Sequence, residues 1–249
     1  MAQWLEAKVI ERIDWNEHLF SLKVDCPNFP KFIAGQFTKL GLLQEDGKVL
    51  SRAYSLVNSP DDRTLEILAV PVENGLLSPK LHILEANDSI LIMSPATGYL
   101  TLDEVPKSKT LWMMATGTGV GPFISILRSG QVWQEYENIV LVYAVRQEND
   151  LAYLDDIRDW KSAHKGRFSF VPIISREKTD FALHGRIPAL LEQKKITGAA
   201  GLALDQETSQ VMLCGNPQMI KDAMDVLKEL GLTRHLRRSP GNITLEQYW

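Results

Sequence analysis

Arg52-Ala53-Tyr54-Ser55-Leu56 follows the strand-like run Lys48 to Leu50 and concentrates three kinds of chemistry. Arg52 is a planar, permanently charged fork suited to a phosphate. Tyr54 is a flat aromatic with a polar tip. Ser55 can donate or accept a hydrogen bond. Side chains two apart on an extended strand share a face, so Arg52 and Tyr54 point to one side, about 7 Å apart. One could hold a diphosphate while the other stacks on a ring, which is what a flavin dinucleotide presents. The same pattern also describes an edge strand with a solvated arginine and a half-buried tyrosine.

A second constellation starts at Leu111-Trp112-Met113-Met114-Ala115, a continuous apolar run of the kind buried on both faces of a parallel sheet. It runs into Thr116-Gly117-Thr118-Gly119-Val120-Gly121-Pro122, after which Phe123, Ile124, Ile126 and Leu127 fall at helical spacing. Strand, glycine turn, helix is a geometry that cradles phosphate or lets a ring approach the backbone. The G-x-G-x-G spacing is neither the G-x-G-x-x-G dinucleotide fingerprint nor a P-loop. Two further apolar runs, Ile139–Val145 and Phe168–Ile174, end at Arg146 and at Ser175-Arg176; Arg186 follows Gly185 in the next loop. Ligands of parallel sheets lie beyond the carboxyl ends of the strands. Three arginines at one rim, in a chain of pI about 5.8, suggest an anion pocket, with the 2′-phosphate of NADP as natural guest. Taken singly, each is also an ordinary solvated strand-end arginine. Cys214 and Gly215 end the run Val211–Leu213, where a buried cysteine by itself reads as packing.

These residues need two kinds of scaffold. Short strands are expected over 6–13, 18–24, 36–42, 49–57, 64–71 and 89–93, separated by turns such as Asp46-Gly47 and Asn58–Asp62. That pattern suggests a six-stranded antiparallel β-barrel. Ser78 is placed to cap a short helix, with Pro79 at its first position. The polar stretch Thr101–Lys109 marks a boundary, giving domains 1–103 and 104–249. Beyond it, buried runs alternate with helical stripes at Leu151–Trp160 and about Gln218–Leu230, as in a doubly wound parallel α/β nucleotide-binding domain. The fold class is therefore β + α/β.

With 249 residues, 45% apolar and 23% charged, the chain has the composition of a soluble globular protein. No apolar run reaches a membrane span and the N-terminus does not resemble a signal peptide, so a cytoplasmic location and no membrane partner are expected. A net charge of −4 argues against a nucleic-acid partner. Cys26 and Cys214 offer neither a disulfide framework nor metal-ligand spacing, and no metal is expected. No repeat or heptad is present, and a monomer is expected.

Arg52–Ser55 resembles the flavin-binding R-x-Y-[ST] of the ferredoxin–NADP reductase family, closest to its bacterial ferredoxin/flavodoxin reductases. Ala34-Gly35-Gln36-Phe37, Gly75–Ser78, Ala115–Pro122 and Cys214–Met219 are similar to further segments of that family. The resemblance implies FAD and NADP(H) as cofactors. FAD would be held by Arg52, Ala53, Tyr54, Ser55, Leu76, Leu77, Ser78 and Thr118. Gly117, Gly119, Arg146, Ser175, Arg176, Arg186 and Gly215 would serve NADP. Tyr54, Ser55 and Cys214 would line the hydride-transfer site, with Cys214 not a redox thiol. Tyr248 and Trp249 would return to the flavin, with a terminal core-packing strand as the bland alternative, and Glu246 would be a polar modulator nearby. The implied activity passes a hydride from NADPH to FAD and single electrons to ferredoxin or flavodoxin. Arg234, Arg237 and Arg238 could steer such an acidic carrier, or be a solvated helix end. A free-standing flavin or ferric reductase and a non-catalytic flavin-binding regulator are the alternatives.

Overall fold

The computed structural model describes residues 2–248. The chain divides into two compact units: residues 1–101 with Gly121–Ser129, and residues 102–120 with 130–249.

The first unit contains β1 (Gln3–Asn16), β2 (Leu19–Asp25), β3 (Phe37–Leu43), β4 (Val49–Ser55), β5 (Thr64–Ala69), α1 (Ser78–His82), β6 (Ser89–Ser94) and α2 (Gly121–Ser129). The strands form one antiparallel sheet in the order β4-β3-β6-β1-β2-β5. Its two ends meet: Leu56 bridges to Ile67, and the Val57 N–H donates to the Glu66 carbonyl at 2.8 Å. The sheet thus closes into the expected barrel. The two-residue period along β2 puts Phe20, Leu22 and Val24 inside, with Leu40, Ile67, Ile90 and Ile92 from other strands. Each such large side chain contributes about 1.5–3 kcal/mol by leaving water. Strand β1 is longer than its sequence pattern suggested, because irregularities between Val9 and Glu11 and between Asp14 and Asn16 let it bend and keep pairing. Gly35, at φ +99°, sits where any Cβ would collide with the Leu100 carbonyl.

The second unit holds β7 (Thr110–Thr116), α3 (Val132–Glu135), β8 (Asn138–Val145), α4 (Leu154–Ala163), β9 (Phe168–Ile174), β10 (Leu183–His184), α5 (Ile187–Glu192), α6 (Lys195–Ala200), β11 (Ser209–Gly215), α7 (Pro217–Glu229) and β12 (Ile243–Gln247). All six strands run parallel in the order β10-β9-β8-β7-β11-β12. Strands β7, β8 and β11 are almost wholly buried, which is why they read as unbroken apolar runs. Helix α7 buries Met219, Ile220, Ala223 and Leu227 on one stripe, and Asn216 caps it by accepting from the Gln218 and Met219 N–H groups at 2.9 and 3.1 Å. Helix α4 starts at Leu154 rather than Leu151, because Tyr153 takes a left-handed φ of +62° that breaks the helix before it. The residues before Tyr248 form strand β12 on the edge of the sheet, in line with the terminal strand that is the alternative for this tail. Among the described residues no helix is long and apolar enough to cross a membrane.

Candidate functional site

In the barrel, β4 is the strand at one end of the sheet order and presents the Arg52–Ser55 stretch opposite β3, with Arg52 across from Leu40, Tyr54 across from Thr38 and Ser55 across from Phe37. Arg52 and Ala53 are exposed, Tyr54 is half-buried and Ser55 is buried. The Arg52 guanidinium makes one hydrogen bond, to the Ser51 carbonyl at 2.8 Å, and its other donors meet no partner among the described residues. Burial pushes the Tyr54 phenol up to about 12, while the nearby Arg52 charge pulls it partly back. Tyr54 is therefore a neutral hydrogen-bonding ring at physiological pH, and Arg52 is close enough for its charge to be felt there. This strand end carries a charged fork, a ring and a buried hydroxyl, a donor set that fits a dinucleotide with a flat aromatic head.

The α1 segment differs from its expected form in one respect. Leu77, not Ser78, occupies the cap position, and no side chain caps the helix. The Ser78 hydroxyl instead accepts from the Val72 N–H at 2.9 Å and ties down the loop before the helix. Gly75 makes that loop possible, since a Cβ there would meet the Val72 carbonyl at 2.9 Å. Leu77 is core, whereas Leu76 is 65% exposed. Leu77 can therefore offer a ligand only its backbone.

In the α/β unit, the strand order reverses between β7 and β11, and parallel sheets bind ligands at the carboxyl end of such a switch point. The glycine turn, Gly117–Val120, follows β7 there, and Cys214-Gly215-Asn216 ends β11 beside it. The two segments pack backbone to backbone. A Cβ on Gly119 would meet the Cys214 carbonyl oxygen at 2.7 Å and the Gly215 Cα at 2.8 Å. A Cβ on Gly215, at φ +129°, would strike the Thr116 hydroxyl. That hydroxyl accepts from the Asn216 N–H at 2.9 Å, so Thr116 staples the two turns together. By contrast Gly117, at φ +53°, faces open space. Thr118 lies on this turn, half-exposed.

Cys214 is fully buried and pairs across the β11–β12 ladder with Glu246. Burial raises its thiol well above the ordinary range; the Glu246 charge raises it further, and a hydrogen bond from Tyr248 offsets part of this. Cys214 is thus held as a neutral thiol, unfit as a nucleophile. The Tyr248 N–H donates to the Gly215 carbonyl at 3.0 Å, which fixes the end of the tail over the Cys214–Gly215 turn. Cys214, Gly215, Glu246 and Tyr248 are therefore brought together, while Trp249 lies outside the described residues.

The rim arginines are also gathered. Ladder bonding continues past β8 and β9, with the Ser175 N–H donating to the Val145 carbonyl at 3.1 Å and the Arg176 N–H to the Arg146 carbonyl at 2.9 Å. The Gly185 N–H donates to the Ile174 carbonyl at 3.2 Å, which sets Arg186 beyond the neighbouring strand end. Arg146, Arg176 and Arg186 are exposed, and their guanidiniums have no partner among the described residues. The Ser175 hydroxyl donates to the Val145 carbonyl at 3.2 Å. Glu177 was not singled out from sequence. Its carboxylate accepts from the Glu148 N–H, and its carbonyl bonds His184 Nδ1 at 2.9 Å, so it pins the arginine-bearing loops. Nothing local in the sequence signals that role.

The basic cluster is less available than its composition implied. Arg237 forms a two-pronged ion pair with Glu104, at 2.7 and 3.1 Å, and holds that carboxyl below its usual range. Arg234 and Arg238 remain exposed. Among the described residues no group of His, Cys, Asp or Glu is arranged to hold a metal ion.

Comparison with known proteins adds independent findings. Residues 113–225 match the family profile of the oxidoreductase NAD-binding domain. The chain is 47% identical over 250 residues to the flavodoxin/ferredoxin–NADP reductase of Escherichia coli (strain K12), covering all of both chains. It is 44% identical, again over the whole of both, to the protein of that name from Buchnera aphidicola subsp. Baizongia pistaciae. Among solved structures, a ferredoxin NADP+ reductase from Neisseria gonorrhoeae with bound FAD and NADP superposes with a TM-score of 0.94 at 33% identity over 99% of each chain.

Proposed function

The chain belongs to the flavodoxin/ferredoxin–NADP reductase family, and we propose that the residues gathered in its two units divide the work of that reaction. The protein is an oxidoreductase that uses FAD and NADP(H) and exchanges electrons between NADPH and ferredoxin or flavodoxin. FAD, when bound, supplies the conversion between a two-electron hydride donor and a one-electron carrier.

In this reading residues 1–103 hold FAD and residues 104–249 hold the nicotinamide nucleotide. Arg52 grips the FAD diphosphate, helped by the backbone N–H groups of residues 76–78. Tyr54 packs against the flavin ring and Ser55 hydrogen-bonds it. Thr118 and Tyr248 belong to the same ring environment. Gly117 leaves the nicotinamide side open, and Gly119 and Gly215 allow the two turns to close on each other. Cys214, buried beneath the Gly215 turn, keeps its underside neutral and dry. Glu246, paired with Cys214, sets the local charge. Arg146, Arg176, Arg186 and Ser175 bind the 2′-phosphate. Arg234 and Arg238 steer an acidic carrier toward the enzyme, and Arg237 contributes through the surface that Glu104 helps to hold. The protein acts as a monomer in the cytoplasm.

The observation that carries the assignment is the arginine trio, unpaired at the carboxyl ends of three neighbouring strands. Each charged hydrogen bond it makes to a phosphate is worth about 1.5–3 kcal/mol. The test is a visible spectrum of the purified protein, followed without oxygen on adding NADPH or NADH. A yellow protein that bleaches much faster with NADPH is expected. Equal bleaching by both nucleotides would remove the 2′-phosphate assignment. A yellow protein that neither nucleotide bleaches would make it a flavin-binding regulator.

A further inference from the structure

Helix α2 follows the glycine turn in sequence, yet it packs as part of the barrel unit. Beside its buried Phe123, Ile124, Ile126 and Leu127, it makes polar contacts with the barrel. The Ser125 hydroxyl donates to the Asn58 carbonyl at 2.7 Å. Arg128 Nη1 makes an ion pair with Glu66 Oε2 at 2.8 Å and a longer bond to the Val57 carbonyl at 3.4 Å. Glu66, on β5, is 5% exposed. Its N–H donates to Asn58 Oδ1 at 2.9 Å, and its carbonyl accepts from the Val57 N–H. Val57 and Asn58 are thereby clamped from β5 on one side and α2 on the other. They lie two and three residues past Ser55.

Burying a carboxylate and a guanidinium costs more than a hydrophobic pair would, so a buried ion pair is weak evidence of a stability role. Its value is geometric: one nitrogen of Arg128 reaches both the Glu66 carboxylate and the Val57 carbonyl, which ties α2 to β5 and to the chain after β4. Here that arrangement fixes the strand end carrying Tyr54 and Ser55. It fixes, from the same atoms, the helix whose first residue, Gly121, is joined by one peptide bond to Val120 of the glycine turn.

We propose that Glu66 and Arg128, with Asn58 and Ser125, are positioning residues for hydride delivery. They register the Tyr54–Ser55 strand end with the start of α2, and they act through these elements rather than by touching either cofactor. The inference rests on the reductase reading. A displacement of about 1 Å in such a reaction can cost about 100-fold in rate.

The experiment uses the FAD-loaded protein in four forms: wild type, Arg128→Met, Arg128→Lys, and the double variant Glu66→Gln/Arg128→Met. Three quantities are read: the bleaching rate at saturating NADPH, the visible circular dichroism of bound FAD, and the affinity for 2′,5′-ADP. Arg128→Met is expected to slow bleaching about 10- to 100-fold. It should also alter the dichroism, while 2′,5′-ADP affinity stays within about twofold because the rim arginines are untouched. Arg128→Lys should recover only part of the rate, since it restores the charge but not the planar donor that also reaches the Val57 carbonyl. Arg128→Met with wild-type rate and dichroism would overturn the proposal. If Arg128→Met does not fold, the double variant decides, because it removes both charges of the ion pair. A folded double variant that bleaches slowly supports positioning, and one at the wild-type rate shows that the pair serves stability alone. A wild type that NADPH does not bleach would instead count against the reductase reading.

Discussion

The two candidate half-sites, Arg52–Ser55 and the glycine turns, are built on opposite principles. In the barrel, Arg52 and Tyr54 are side chains hung on β4, and neither takes part in the core except through the Tyr54 ring. In the α/β unit the corresponding atoms are backbone. Gly119 and Gly215 are needed because the turns after β7 and β11 approach within the space of a single methyl group. Arg52 on the barrel can thus be altered without disturbing the fold, whereas the glycine turns of the α/β unit cannot change without losing their packing. Where ligand contacts are side chains, binding and stability separate; where they are glycines, the two are one property.

Substitution at the glycine turn tests this most severely. Gly119→Ala would drive a methyl into the Cys214 carbonyl, a contact of 2.7 Å. Overpacking of this kind costs about 1–3 kcal/mol. Bleaching by NADPH should fall about 100-fold, and thermal melting should show the lower stability. Normal melting together with lost activity would break the contrast. Next in size, Arg176→Ala should weaken 2′,5′-ADP binding about 10- to 100-fold with no change in melting. NADH-driven bleaching should not change, which separates the rim from the glycine turn. Arg52→Ala should loosen FAD about tenfold, read by fluorescence of released flavin, and the loss should grow with salt because the site is exposed. Its apoprotein should melt as the wild type does, or the barrel half is not as separable as its structure implies.

The smallest effect concerns Glu104. Arg237 holds its carboxyl below the ordinary value, so the pair's contribution is complete above the ordinary carboxylate range and fades as pH falls through the lowered value. The pair is partly exposed, and its worth is at most about 1 kcal/mol. Glu104→Gln should therefore melt slightly below wild type near neutral pH, and the two should converge as pH falls through the lowered carboxyl value, below the ordinary Glu range.

The same contrast governs how much was legible beforehand. Strand runs such as Leu111–Ala115 and Ile139–Val145 stand out because burial on both faces leaves no charged or amide residue in them. Phe20, Leu22 and Val24 are legible because the barrel wall has a period of two. Arg146 and Arg176 are visible because each lies just past an apolar run, and Arg186 because it follows a glycine in the next loop. What escaped depends on partners distant in sequence. The Ser78 hydroxyl looks like a cap until Val72 is seen to use it. Residues 243–247 carry no long apolar run, and only the neighbouring β11 makes them a strand. Glu66 and Arg128 are 62 residues apart, and no periodicity links them.

Chain threading gives the molecule a further property. The backbone leaves the barrel near residue 101, builds the first strand of the parallel sheet, and comes back to lay α2 on the barrel before leaving again. No single cut separates the two units. A recombination crossover in the linker would hand the recipient a barrel stripped of Ser125 and Arg128, with the Asn58 carbonyl and the Glu66 carboxylate bereft of those donors. Exchange of the nucleotide half between relatives would therefore succeed only when the join falls beyond Ser129 or when the incoming helix brings matching partners. Inheritance of the barrel is bound to inheritance of that helix, although the gene writes them apart.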